Sequence, residues 1–498
     1  MWPPAPKQRE TAIDDPTMSA TNTFDFIIVG AGSAGCVLAN HLSADRRFTV
    51  LLVEAGKMSH PLTPVPISFS RLIDNPKVNW CYGSEPEPVM AQRSIPVPRG
   101  RMLGGSSAIN GLVYVRGQPL DYNNWAKLGN RGWSFDDVLP IFQRMENYGP
   151  GADEWRRQGG PLHVSEVADQ NPLYDALIAA GEEIGLPNNP DYNGADQTGL
   201  CKTQTTIRGG KRMSAAVAYL EPARSRPNLT IATKALAHRL RLNGKRCTGI
   251  SYAVDGRTID AQARVEVILC CGSINSPQLL ELSGIGQPAL LKSQGIEVCH
   301  SLPGVGESLR DHIAPRMGSP DAQLHLVPYT FSPTTRRLLD EPGMTITVYQ
   351  LRPESLGSIH IKSADPHEAP AIRFNFLSNP LDRQTLVDAV RFTRRLMQAP
   401  AMDQFRGIEF KPGPDVRSDD EIIEWIGKTA ETAYHPIGTC RMGDDENAVV
   451  NDQLQVHGIE GLRVADGSIM PTLVSGNTNA ACIMIGEKAA DMILSEQR

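Results

Sequence analysis

Gly30-Ala31-Gly32-Ser33-Ala34-Gly35, with Glu54 closing the next apolar run, is the segment whose residue types and spacing most directly imply chemistry. The pattern suits capture of a dinucleotide. Gly30 permits a tight turn out of a strand, Gly32 lets the backbone approach a pyrophosphate, and Gly35 lets a helix pack closely on a sheet. The free N–H groups and dipole of a helix start attract the pyrophosphate charge. Glu54 stands where an acid bonds ribose hydroxyls, and an acid there repels a 2′-phosphate, which disfavours NADP. The motif leaves NAD and FAD both open.

The elements that must position these residues are readable around them. Residues 26–29 form an apolar β-branched run, residues 33 onward a helical pattern with Val37, Leu38 and Leu42 on one face, and residues 50–53 a second apolar run. Strand, glycine turn, helix, strand and acid make one βαβ unit. A chain of 498 residues is too long for one simple core, so two domains are expected. The net charge of -6, without long runs of one sign, argues against nucleic acid as a partner. Nine scattered cysteines without a CxxC pair imply neither a zinc site nor a disulfide framework, and no metal site is expected. That usage fits a reducing compartment. No apolar run is long enough to span a membrane and no signal peptide is evident, so the default location is cytoplasmic. Residues 1–22 read as a polar, Pro-rich disordered leader, with Met18 an alternative start.

Further along, residues 100–117 open with small residues and close on an apolar stretch. Such a segment can run flat against a ligand, or can be a plain glycine-rich connection. Residues 118–148 read as an aromatic-rich helical region, and 173–184 as an amphipathic helix. Residues 229–254 read as strands turned by Asn243-Gly244, and 265–269 as a buried strand leading to a helix from 273. From residue 344, short alternating runs suggest a second, antiparallel sheet. Residues 386–397 and 480–494 read as helices, and 463–465 as a last strand.

Two C-terminal stretches carry the remaining chemistry: Thr432-Ala-Tyr434-His435-Pro-Ile-Gly-Thr, and Asp466-Gly467 running on to Asn477-Thr478-Asn479 before the final helix. With the glycine fingerprint, residues 100–117 and residues 272–286, these motifs occur in the order found in the glucose–methanol–choline (GMC) oxidoreductases. The chain resembles that family from residue 24 to 494. The resemblance implies an α/β fold: a Rossmann-like FAD-binding domain of residues 23–160, 210–312 and 436–498, and a smaller α+β substrate domain of residues 161–209 and 313–435. It also implies FAD rather than NAD. Gly30, Gly32, Ser33, Ala34, Gly35, Glu54 and Ala55 would hold the ADP half, with the backbone at Ala237 near the adenine. Trp80, Leu103, Asn110, Gly111, Leu112 and Val113 would lie along the flavin, Tyr434 would touch it, and Asp466 with Gly467 would meet its linker. The helix opening near Thr478 would aim its positive end at the flavin pyrimidine ring, where reduced flavin is anionic.

By the same resemblance His435 is the catalytic base, taking an alcohol's hydroxyl proton while hydride passes to flavin N5, and Asn477 bonds the substrate oxygen. Asn479 is a competitor for that role, since both flank one helix start. His312, in Arg310-Asp311-His312, reads as structural. Relatives that attach flavin covalently use a His in residues 100–117; here Ser107, Ala108 and Ile109 leave none, so FAD should be non-covalent. The chain departs from the family after His312, where several dozen residues of substrate domain are missing. The reading is oxidation of a primary alcohol to the aldehyde, with oxygen or a quinone-type molecule as electron acceptor. An NAD-dependent dehydrogenase, a flavin-dependent lyase of cyanohydrins and a non-catalytic flavin binder are the alternatives. Choline is disfavoured, because part of the cation site in choline-specific relatives lies in the missing piece.

Overall fold

The structure, a computed structural model, describes residues 22–314, 322–330, 339–340 and 342–497. Residues 1–21 of the expected leader, Met18 among them, lie outside the described residues, as do residues 315–321 of the shortened connection. Among the described residues no helix is long and apolar enough to cross a membrane.

The main sheet has seven strands: β1 (Thr23–Val29), β2 (Val50–Glu54), β3 (Leu229–Thr233), β4 (Ala235–Asn243), β5 (Arg246–Val254), β6 (Arg257–Leu269) and β7 (Leu462–Val464). Its order is β3-β2-β1-β6-β5-β4, with β7 also pairing β6. The strands β3, β2, β1, β6 and β7 run parallel. Thr230, Leu51, Ile27, Val267 and Leu462 stand side by side across them. Parallel strands covered on both faces read as continuous apolar runs, which is why β1 and β2 are so legible in the sequence. Phe26, Ile27, Ile28, Val50 and Leu52 are fully buried, each contributing about 1.5–3 kcal/mol by leaving water.

Helix α1 (Ser33–Ala44) returns from β1 across the sheet, helix α2 (Gly272–Leu282) follows β6, and helix α3 (Asn479–Glu496) ends the fold. The tight approach of α1 needs glycine. A Cβ on Gly35 would sit 1.9 Å from the Gly30 carbonyl oxygen, and one on Gly486 would sit 2.9 Å from Cα of Ala34. Gly30 itself has φ +100°, outside the range L side chains adopt readily. Gly35→Ala is therefore expected to cost about 2–3 kcal/mol through overpacking. Urea denaturation checks it; an unchanged midpoint would refute the packing role.

A second core gathers Tyr82, Ile95 and Val97 with Ile346, Val348, Ile372, Phe374, Leu386 and Ile422. It lies under the long helix Pro380–Met397. Residues 82–97 thus pack with residues 346–426 of the expected substrate domain, the cap, whereas Leu162 and Val164 pack in the main core. The expected antiparallel sheet of the cap takes the form of separate two-stranded ladders among the described residues. Ala322–Val327 pairs with Thr345–Gln350, Ser358–His360 with Ala371–Arg373, and Ile313–Ala314 with Glu431–Thr432.

Candidate active site

The C-terminal ends of β1, β2 and β6 open on a cavity of 1960 Å³ that continues beneath the cap. Ligand crevices of open parallel sheets form at this edge because the strand ends and the helix N-termini converge there. Gly30, Gly32, Ser33 and Ala34 line the inner end with Glu54, Ala55 and Ala237. Helix α1 starts there without a side-chain cap and without an acid in its first turn. Its orphan N–H groups and positive dipole end are therefore available to an anion. A Cβ on Gly32 would meet only the Cys270 carbonyl oxygen, at 3.8 Å, and one on Gly111 nothing within 4 Å. This open, glycine-lined cradle fits a pyrophosphate-linked cofactor. Gly35 points instead at Gly30 and serves packing alone.

Glu54 anchors the turn as well as facing the cavity. Its carboxylate accepts hydrogen bonds from the N–H groups of Ala31 at 3.0 Å and Gly56 at 2.7 Å. Burial pushes its carboxyl up to about 7, against the opposing effect of those N–H groups.

Trp80, Asn110, Gly111, Leu112 and Val113 line the middle of the cavity. Trp80 stacks on Tyr82 with centroids 5.6 Å apart, and the Arg101 guanidinium lies 4.4 Å from its ring. Arg212 holds the next segment, donating to the Asn110 carbonyl at 2.8 Å and to its Oδ1 at 2.7 Å. Leu103 is placed differently from expectation. It is buried in the main core and is not among the residues lining the cavity, in a segment that turns at Gly104 (φ +92°).

Asp466 and Gly467 border the cavity beside α2. The Asp466 carboxylate accepts from Gly272 N at 2.8 Å, Ser276 Oγ at 2.6 Å, Ser468 N at 2.8 Å and Ser468 Oγ at 2.6 Å. Its four lone pairs are thereby used in tying α2 to the chain that precedes α3. What it presents to the cavity is a fixed turn rather than a free carboxylate.

The reactive corner lies where α3 begins. That helix also lacks a side-chain cap and an acid in its first turn. Asn479 accepts from Ser33 Oγ at 2.7 Å, joining the two helix starts, while Asn477 reaches His435. Of the two asparagines, Asn477 is the one that contacts His435. Tyr434 precedes His435 with φ +69°. Asp311 fixes the turn by accepting from His435 N at 2.8 Å and from Thr432 Oγ1. Arg99 donates to the Tyr434 carbonyl. Burial pushes the Asp311 carboxyl up to about 7 despite these donors.

A chain of hydrogen bonds sets the protonation of His435. His312 Nε2 lies 3.2 Å from the Leu351 carbonyl, which can only accept, so Nε2 carries the hydrogen. A neutral His312 then accepts at Nδ1. His435 Nδ1, 3.0 Å away, must be the donor. That leaves His435 Nε2 as a bare lone pair, satisfied at 3.0 Å by Asn477 Nδ2. Both imidazoles are neutral: burial brings His312 down to about 3, and His435 lies well below the ordinary 6.5 through burial, then the nearby His312, Arg99 and His325. His312 thus bridges the Leu351 carbonyl and His435.

Asp311, Arg99, Gln323 and His325 are the site residues that sequence reasoning passed over. His325 lies in the cap ladder with its ring 5.3 Å from that of Tyr349, which is 6.2 Å from that of His435. The available signals were the Asp311-His312 dipeptide and the two-residue spacing of Gln323 and His325, which puts both on one strand face.

A nucleotide cradle at the C-terminal edge of a parallel sheet, joined under a cap to a neutral imidazole and an amide, defines a cofactor-dependent oxidoreductase. The family description "GMC oxidoreductase" matches residues 24–314 with its N-terminal part and 353–486 with its C-terminal part. The chain is 40% identical over 533 positions to an oxygen-dependent choline dehydrogenase from Escherichia coli, covering 95% of this chain and 96% of that protein. It is likewise 40% identical over 524 positions to one from Brucella anthropi, covering 94% and 95%. The solved structure of pyridoxine 4-oxidase from Mesorbium loti is similar with a TM-score of 0.90 at 30% identity, covering 95% and 99%. The chain belongs to the GMC oxidoreductase family and is an FAD-dependent oxidoreductase acting on CH–OH donors.

Proposed function

We propose that the enzyme oxidises a neutral primary alcohol to the aldehyde with His435 as general base. The observation that carries this is the hydrogen-bond chain from the Leu351 carbonyl, which leaves His435 Nε2 unprotonated beside Asn477. Gly30, Gly32, Ser33, Ala34, Glu54, Ala55 and Ala237 would hold the ADP half of FAD; Trp80, residues 110–113, Tyr434, Asp466, Gly467, Thr478 and Asn479 would hold the remainder. Bound FAD supplies the hydride acceptor, its N5. His435 Nε2 takes the hydroxyl proton, and Asn477 Nδ2 turns its hydrogen bond to the substrate oxygen. The electrons pass on to oxygen or a quinone-type acceptor.

Choline, the substrate named for the curated relatives, is disfavoured by the shortened substrate domain rather than by a lack of acidic side chains. The cavity's acidic side chains among the described residues are Glu54, Glu409, Glu431 and Asp466. Glu54 sits at the ADP end, Asp466 is saturated by donors, Glu409 pairs with Arg394, and Glu431 accepts from the Tyr434 hydroxyl. Glu431 keeps its charge, since a phenol hydroxyl does not neutralise a carboxylate, and that charge also acts on Arg93. The alignment with the Escherichia coli relative spans 533 positions against 498 residues in this chain, so the relative carries residues that are missing here. We place that loss after residue 312, between the two family matches, where it shortens the substrate domain. The test is anaerobic addition of an alcohol panel, choline included, followed by air. Bleaching of the flavin absorbance by neutral primary alcohols, with choline slower, is expected. No bleaching by any alcohol would overturn the reading and favour a lyase or a non-catalytic flavin binder.

A further inference from the structure

The cavity under the cap extends well past the reactive corner. Gln323 stands at that corner, its Nε2 donating to Asn477 Oδ1 at 3.4 Å, and it lies at the start of the strand Ala322–Val327. Gln323 and Val327 both line the cavity. At about 3.3 Å per residue, the strand carries the cavity wall about 13 Å from one to the other. The walls along this stretch are apolar. Leu177 and Ile178 come from the helix Pro172–Glu183, Leu326 from the strand, Met344 from the residue before its partner strand, Met397 from the end of the helix Pro380–Met397, and Phe405 from the turn that follows. All six pack against one small hydrophobic cluster yet are only partly buried, so each keeps a face toward the cavity. The charges nearby are met within the protein: Arg394 pairs with Glu409, Arg406 with Asp403 and Lys202 with Asp175. The apolar character continues to the opening. Ile408 and Phe410 line the cavity and are 94% and 69% exposed, the two most exposed large hydrophobic side chains among the described residues. A residue that both lines a cavity and faces solvent stands at its mouth. A lone exposed apolar residue needs no explanation, but two at the mouth of an apolar chamber mark the path of an apolar ligand.

We propose that the substrate is a primary alcohol on a long apolar chain, its hydroxyl at Asn477, its tail along the strand Ala322–Val327 and its route of entry past Ile408 and Phe410. The inference rests on the proposed function for the reaction and names the substrate class. An extended alkyl chain advances about 1.25 Å per carbon, from a C–C bond of about 1.52 Å and a near-tetrahedral angle, so the strand's span corresponds to about ten carbons. Each methylene that leaves water for these walls adds affinity in proportion to its apolar area. A short alcohol leaves the walls wet and forgoes that gain.

Anaerobic flavin reduction by a series from 1-butanol to 1-decanol tests the proposal. The second-order rate constant is expected to rise at least about twofold per added methylene. Leu177→Gln, close in size, puts an amide on the chamber wall and is expected to lower the decanol-to-butanol ratio at least about fivefold. Flavin absorbance reports whether that variant is intact; if it loses flavin, the wild-type series decides alone. A rate constant flat or falling beyond 1-butanol, or a chain-length preference that a flavin-loaded Leu177→Gln leaves unchanged, would overturn the proposal while alcohol oxidation stands. Tertiary alcohols separate the two readings, because they carry no carbinol hydrogen to transfer. By anaerobic calorimetry on the FAD-loaded enzyme, 2-methylundecan-2-ol is expected to bind at least about tenfold more tightly than 2-methylbutan-2-ol. That preference, in an enzyme whose flavin no alcohol bleaches, would sink the proposed function and leave the chamber's ligand class standing. Equal binding of the two would overturn the chamber's role.

Discussion

Replacing His435 with Ala is expected to leave FAD bound while slowing its anaerobic reduction by a substrate alcohol roughly 10²–10⁴-fold. The imidazole touches the reacting corner rather than the ADP cradle, so flavin content should be unchanged. Stopped-flow absorbance of the flavin measures the step directly. A reduction rate equal to the wild type would eliminate His435 as the base. The pH profile carries the same argument. The active form is the neutral imidazole, and burial with the adjacent His312, Arg99 and His325 holds it neutral to well below the ordinary 6.5. The rate should therefore stay level through neutral pH and fall only well below pH 6.5, as protonation removes the lone pair. An acid limb centred at or above 6.5 would contradict the burial argument.

Glu146→Gln is expected to destabilise the protein by about 3–5 kcal/mol, because it leaves buried guanidinium charge short of its partner. Glu146 and Arg156 are fully buried and Arg116 nearly so. Glu146 lies 2.6 Å from Arg116 in charge contact and 3.1 Å from Arg156, which also pairs with Asp191 at 2.7 Å. The network holds the end of the segment lining the middle of the cavity. Arg116 N donates to Asn193 Oδ1 at 2.7 Å, and Tyr192 donates to the Tyr114 carbonyl at 3.0 Å. Weaker FAD retention should accompany the lower denaturation midpoint. A loss under about 1 kcal/mol would show that the charges find solvent or each other without Glu146.

The parts legible in the sequence are those whose physics is local. The glycine turn, its strand and its helix are specified by residues within about two dozen positions, and β1, β2 and the hairpin β4–β5 follow from runs of apolar residues and one Asn-Gly turn. Leu103 shows the limit: spacing places it beside a ligand-lining segment but cannot say that its side chain is buried in the main core. The ladders of the cap are legible as strands, yet their division into pairs depends on contacts among remote segments.

By itself the sequence determined that a nucleotide cradle, a histidine between Tyr434 and Pro436, and an asparagine before the last helix are present, because turn chemistry and motif spacing are written in adjacent residues. Only the tertiary structure decided which nitrogen of His435 is free. That choice needs His312, 123 residues away, bonded to the Leu351 carbonyl, and Asn477, 42 residues away in the other direction. It likewise decided that Asn479 serves the α1–α3 junction and that Gln323 stands 154 residues from the asparagine it orients. The reason is that a tautomer or an amide orientation is settled by whichever acceptor the fold brings within hydrogen-bond reach, and chain order carries no record of that distance.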